Sequence, residues 1–159
     1  MSSSPKTPGD GFEDSVGNPD LTSTIHLSSL RSVRNQRNIE EIFSMMSTEE
    51  REIVAALPKN SAMLLVLAGA NKGARFLING EKTSIGRDPQ SEIFLDDVTV
   101  SRKHAEVRKD GENYVIVDLG SLNGTYLNSQ PSARERLVVG DEVQIGKYRL
   151  TYFSGKGNS

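Results

Sequence analysis

From Met63 to Phe153 the chain is a succession of short runs in which apolar and polar residues alternate, and this limits its fold more than any other feature. MLLVLA, ARFLI, KTSI, EIFL, HAEVR, NYVIVD, TYLN, LVV, EVQIG and YRLTYF follow one another at close spacing, none long enough for a helix of several turns. A period of two puts successive side chains on opposite faces, which suits a strand with one face buried. Turn signals separate the runs: Asn79-Gly80, Asp110-Gly111, Asn123-Gly124 and Gly140-Asp141. The pattern predicts an all-β sandwich. No helix-length stretch interrupts it, so an enzyme of alternating strands and helices is not expected.

The sequence changes character ahead of Ser61. Residues 1 to 24 are rich in Ser, Thr, Pro, Gly, Asp and Asn, with Phe12, Val16 and Leu21 the larger apolar groups besides Met1. Too little apolar surface is available there to offset the entropy of ordering the chain. Between Asn35 and Leu57, Ile39, Ile42, Phe43, Met46, Ile53 and Leu57 fall near helical spacing, and Ser47-Thr48-Glu49-Glu50 forms a capping box. The expected organisation is a disordered tail over 1–34, a helical linker over 35–60, with one or two short helices ending before Pro58, and a β-domain over 61–155.

Composition removes several classes of chemistry. There is no Cys, hence no disulfide, thiolate nucleophile or Cys-ligated metal. The longest apolar run, Met63 to Ala70, is far short of a bilayer span, so no membrane association is expected and the reading is cytoplasmic. A net charge of −2 without a basic block argues against nucleic acid. Gly69-Ala-Asn-Lys-Gly73 lacks a Gly-Lys-Ser/Thr ending and leads into a strand, so it reads as a hairpin turn. Ser101, His104 and Asp118 could supply a nucleophile, base and orienter, yet no elbow or oxyanion turn surrounds Ser101. His26 lies in the tail, leaving no His cluster for zinc, and Asp96-Asp97 reads as a solvated acidic turn. Neither an enzyme nor a cofactor is expected.

What remains is a set of loops suited to an anion. Gly86-Arg87 ends one strand, Ser101-Arg102-Lys103-His104 crowds a hydroxyl, two cations and an imidazole before another, and Ser121-Leu122-Asn123-Gly124-Thr125 supplies a turn. Arginine presents a planar fork of donors that matches phosphate oxygens, a hydroxyl adds one more, and an Asn amide can pair with a peptide backbone. Singly, each has a plain alternative: a solvated cation, a structural imidazole, an ordinary turn.

SIGRDPQSEIFLDDVTVSRKHAEV followed by VDLGSLNGTYLN resembles the forkhead-associated (FHA) domain, whose pattern is Gly-Arg, Ser-x-x-His, Asn-Gly-Thr and a further Asn. The resemblance covers roughly residues 62 to 154. It implies a non-catalytic module that reads phosphothreonine on an eleven-stranded β-sandwich. It also implies roles: Arg87 and Ser101 on the phosphate, Arg102 in support, Asn123 on the peptide backbone, and Leu122 beside them where many members have a polar residue. His104 would buttress the loop holding Ser101, while Gly86, Gly124, Thr125 and Asn128 complete the structural motif.

FLDDVTVSRKHAEV, VDLGSLNGTYLN and GDEVQIGKYRL further resemble a group of actinobacterial FHA regulators, the glycogen accumulation regulators and oxoglutarate dehydrogenase inhibitors. That likeness implies a tail phosphorylated by serine/threonine protein kinases, which then binds the chain's own FHA domain and switches its hold on enzymes of 2-oxoglutarate and glutamate metabolism. Leu21-Thr22-Ser23-Thr24-Ile25 stands where the phosphorylated motif would be, with Thr22 the expected site and Thr24 its rival. The alternative is an adaptor that binds phosphothreonine proteins in trans, with the 35–57 helices as a second docking surface.

Overall fold

A computed structural model describes residues 39–69 and 71–155 of the chain. These residues belong to one compact unit of two short helices and eleven strands. Helix α1 covers 39–45 and α2 covers Thr48–Ala55. The strands are β1 Ala62–Leu65, β2 Arg75–Ile78, β3 Lys82–Gly86, β4 Ile93–Phe94, β5 Ala105–Asp110, β6 Asn113–Asp118, β7 Thr125–Leu127, β8 Gln130–Pro131, β9 Arg134–Arg136, β10 Glu142–Ile145 and β11 Tyr148–Ser154. They form a sandwich of two sheets, one of order β9-β6-β5-β3-β4 and one of order β2-β1-β11-β10-β7-β8.

Antiparallel ladders join every neighbouring pair except β3 and β4, which run parallel with Ile85 opposite Ile93. The alternation in sequence is converted directly into a core. Val107 of β5, Tyr114 and Ile116 of β6, Val143 and Ile145 of β10, and Leu150 and Tyr152 of β11 all turn inward. Gly69, Asn71 and Gly73, all in the left-handed region, close the hairpin from β1 to β2, as the sequence predicts for this segment.

Strand β1 explains why MLLVLA is a continuous apolar run rather than an alternating one. Ala62, Leu64 and Val66 enter the core between the sheets, whereas Met63 and Leu65 face outward into a second cluster with Phe153, Met46 and Leu57. Helices α1 and α2 cover that outer face, with the Phe43 and Phe153 rings edge to face at 5.9 Å. The capping box read in the sequence is present: Ser47 Oγ accepts from Glu50 N–H at 3.1 Å, and Glu50 Oε1 accepts from Ser47 N–H at 2.9 Å. Arg51 Nε donates to Phe43 O at 2.7 Å and ties α2 to the end of α1. The segment read as a linker is therefore packed on the sandwich, because it holds the apolar groups that the outer face of β1 needs. None of the described helices is long and apolar enough to cross a membrane.

Three strands differ from the expected set. LVV is not a strand: Leu137 plugs the core, and Val138 N–H donates to Asp141 Oδ2. The ladder beside β6 is made instead by Arg134–Arg136, and β8 is the exposed pair Gln130–Pro131. If the helical cap stabilises the sandwich, Phe43→Ala should lower unfolding stability by about 2 kcal/mol. A urea midpoint equal to that of the unsubstituted chain would show that the helices do not pack there in solution.

Candidate functional site

The loops that follow β3, precede β5 and connect β6 to β7 converge at one end of the sandwich, and backbone contacts fix their spacing. Arg87 N–H donates to Ser101 O at 3.0 Å, and Asp88 N–H to Arg102 O at 3.2 Å. This approach is possible because residue 86 is glycine: a Cβ there would lie 2.0 Å from Arg102 O. The Arg87 side chain is anchored as well, with Nε donating to Val100 O at 3.1 Å. Among the described residues its two Nη groups meet no acceptor, so the outer edge of the guanidinium remains open for an anion.

His104 is fully buried and links the other two loops. Its Nδ1 accepts from Ser101 N–H at 3.1 Å, and its Nε2 lies 2.9 Å from Gly124 O. Since Nδ1 accepts, the proton sits on Nε2 and is donated to the carbonyl, so both ring nitrogens are satisfied in one neutral tautomer. Ser101 Oγ accepts from Leu122 N–H at 3.0 Å, which leaves its own proton to give. The backbone N–H of Leu122 is thus engaged within the protein, while its side chain is 89% exposed. Asn123 Nδ2 donates to Thr99 O at 3.0 Å, and the residue is exposed.

Arg102, well exposed, pairs with the partly buried Asp88 at 3.6 Å, a contact that adds little stability. Thr125 is buried and donates to Asp118 Oδ1 at 2.7 Å. Asp118 also accepts from Ser121 Oγ at 2.5 Å and from the N–H groups of Gly120 and Ser121. Burial works against its charged form, but these donors outweigh burial and hold the carboxyl below its ordinary value. Gly124 adopts φ +82°, the left-handed conformation that points its carbonyl at the imidazole. Asn128 lies apart from this group: its amide bonds Asp141 Oδ1 and Glu142 N–H, each at 2.9 Å, and shapes the turn between β7 and β8. The tail, with Thr22 and Thr24, lies outside the described residues.

Ser101, His104 and Asp118 do not form a charge relay. His104 Nδ1 takes the Ser101 backbone N–H instead of its hydroxyl, and Asp118 faces Thr125 and Ser121. The reading of Asp96-Asp97 as a solvated turn needs correction for Asp97. Its Oδ2 accepts from the hydroxyl and the backbone N–H of Thr99, and Lys147 Nζ lies 2.9 Å from Oδ1. The Thr99 hydroxyl foremost, then its N–H and Lys147, hold the Asp97 carboxyl down at about 2. Sequence reasoning missed this group because Asp97 and Lys147 are fifty positions apart and belong to separate runs.

The FHA domain family model matches residues 83–146, which span all three loops. An oxoglutarate dehydrogenase inhibitor of Corynebacterium jeikeium is 56% identical over 102 residues, covering 64% of this chain and 71% of that protein. This chain belongs to the FHA-domain family. The glycogen accumulation regulator GarA of Mycolicibacterium smegmatis is also 56% identical, over 64% of this chain and 65% of its own length. A solved FHA domain described for phosphothreonine-dependent interactions superposes with a TM-score of 0.54 at 31% identity, covering 58% of this chain and 95% of that one. The chain thus carries an FHA domain, and the proteins it is similar to are named as a glycogen accumulation regulator, an inhibitor of oxoglutarate dehydrogenase and an FHA domain with phosphothreonine-dependent interactions.

If His104 locks the loops together, His104→Ala should lower both the melting temperature and phosphopeptide affinity, whereas Ser101→Ala should lower affinity alone. Equal melting temperatures for His104→Ala and the unsubstituted chain would remove His104 from that role.

Proposed function

We propose that the chain is a phosphorylation-switched regulator. A serine/threonine protein kinase modifies Thr22, or its rival Thr24, and the 1–34 tail then binds the chain's own FHA domain. The unmodified form holds an enzyme of 2-oxoglutarate or glutamate metabolism in the cytoplasm, and closure releases it. The metabolic partner is suggested by the relative named as an oxoglutarate dehydrogenase inhibitor. In this reading Arg87 and Ser101 bind the phosphate, Arg102 supports it, Asn123 bonds the peptide backbone, and Leu122 gives an apolar contact. Gly86, His104, Gly124, Thr125 and Asn128 hold the loops.

The observation that carries the proposal is the Arg87 guanidinium, anchored through Nε at Val100 O with no acceptor for either Nη among the described residues, on the loop bonded to Ser101. A phosphothreonine brings about −1.5 to −2 charges and three acceptor oxygens, and each charge-assisted bond contributes about 1.5 to 3 kcal/mol. Two or three such bonds with peptide contacts reach the ~8 kcal/mol of micromolar binding.

Reach is sufficient for closure. With α1 packed on the sandwich, the tether from Thr22 runs only to residue 39, seventeen positions. Fully extended, that covers at most ~60 Å, against a diameter of roughly 35 Å for a domain of this size. Linkage at a millimolar effective concentration would turn micromolar affinity into a closed form favoured about a thousandfold. Burial of the apolar side of α1 and α2 against β1 and β11 weighs against those helices as a second docking surface.

Arg87→Ala should weaken binding of a tail peptide phosphorylated at Thr22 by about a hundredfold or more and leave the melting temperature nearly unchanged. Arg87→Lys should also weaken it, since an ammonium cannot reproduce the fork. The stoichiometrically phosphorylated chain should lose affinity for the added peptide, and this loss should not vary with protein concentration. Affinity of Arg87→Ala within a few-fold of the unsubstituted chain would refute the site, and concentration-dependent competition would replace closure by binding in trans.

A further inference from the structure

Two of the side chains assigned to the phosphopeptide, Arg87 and Asn123, come from different loops, yet both rest on the same short piece of backbone. Asn123 Nδ2 donates to Thr99 O at 3.0 Å, Arg87 Nε to Val100 O at 3.1 Å, and Arg87 N–H to Ser101 O at 3.0 Å. Three consecutive carbonyls therefore set where the peptide-facing donors stand. Any shift of residues 99–101 is passed to both.

That backbone is fixed from a third direction. The Thr99 hydroxyl donates to Asp97 Oδ2 and at the same time accepts from Lys147 N–H at 3.1 Å, in the turn between β10 and β11. Thr99 N–H donates to Asp97 Oδ2 at 2.9 Å, and Lys147 Nζ lies 2.9 Å from Asp97 Oδ1. The neighbouring turn residue, Gly146, packs so closely that a Cβ there would lie 2.4 Å from Thr99 Oγ1 and 2.9 Å from Thr99 O. β10 and β11 belong to the six-stranded sheet, whereas Arg87 follows a strand of the five-stranded sheet. The clasp thus spans the two layers at the binding end.

We propose that Asp97, Thr99 and Lys147 are positioning residues for the phosphothreonine site, acting through the carbonyls of residues 99–101 on Asn123 and Arg87. The inference rests on the proposed roles of Arg87 and Asn123. The Thr99 hydroxyl is central, because it bonds both Asp97 and the backbone of the β10–β11 turn. Asp97 orients that hydroxyl and Lys147 orients Asp97. The Asp97 carboxyl, depressed to about 2, keeps this arrangement ionised well into the acid range.

The test compares Thr99→Val, which keeps the shape and deletes the hydroxyl, with Thr99→Ser, which keeps the hydroxyl. It uses the full unphosphorylated chain and a synthetic peptide of residues 17–30 phosphorylated at Thr22. Thr99→Val should weaken peptide binding about tenfold, the scale expected for loss of one hydrogen bond per donor displaced, and Thr99→Ser should bind within twofold of the unsubstituted chain. In the peptide-free protein, the Arg87 Nε–H and Asn123 Nδ2 resonances should shift in Thr99→Val and stay in place in Thr99→Ser. A variant that only loosened the fold would lower the melting temperature without moving these two signals selectively. Lys147→Gln, on a side chain that is half exposed, provides the second probe should Thr99→Val fail to fold, and it should move the same two signals in the same direction. Unshifted signals in every folded variant, or equal weakening by Val and Ser at position 99, would overturn the inference. Failure of the unsubstituted chain to bind this peptide and its counterpart phosphorylated at Thr24 would instead overturn the proposed function, and the peptide-free resonances would still decide the role of the clasp.

Discussion

The site depends on a buried, neutral imidazole with both nitrogens engaged. His104 accepts the Ser101 N–H on one side and reaches the Gly124 carbonyl on the other, so it holds the loop carrying the hydroxyl at a set distance from the loop carrying Asn123. A buried polar group of this kind stabilises only when every bond is made, and here each is. The spacing of these loops is consequently fixed without a ligand. Pre-organised donors bind better than donors that must be ordered on association, because the entropy of ordering is not subtracted from the affinity.

Around that imidazole the surrounding groups do complementary work. Gly86 allows the Arg87 and Ser101 loops to approach, Asp118 gathers four donors beneath the β6–β7 connection, and the Asp97–Thr99–Lys147 group joins these loops to the second sheet. The helical cap acts elsewhere, on the outer face of β1 and β11. It converts a continuous apolar strand into one buried on both faces.

Much of this was legible in the sequence, for identifiable physical reasons. Strands with a buried face carry a period of two, and the capping box at Ser47 is a local pattern of four residues; both could be read without knowing the fold. The convergence of the loops around Arg87, Ser101 and Asn123 was legible because their motif spacing is that of the FHA family. Strands β8 and β9 were not, since they are short, exposed edges with no apolar alternation. Leu137 misled because an apolar run that plugs a core looks like a strand. The clasp at Asp97 was invisible because it is assembled by topology: nothing local to Asp97 or to Lys147 signals that the two will meet.

The measurement that bears most directly on a pre-organised site is the ring-nitrogen spectrum of His104 in the unphosphorylated chain, recorded before and after addition of a phosphothreonine peptide. The account predicts one neutral tautomer with the proton on Nε2, unchanged by the peptide, while the signals of Arg87, Ser101 and Asn123 shift. A mixture of tautomers in the free protein that resolves to one form only on binding would show that the ligand builds the site, and would contradict the account.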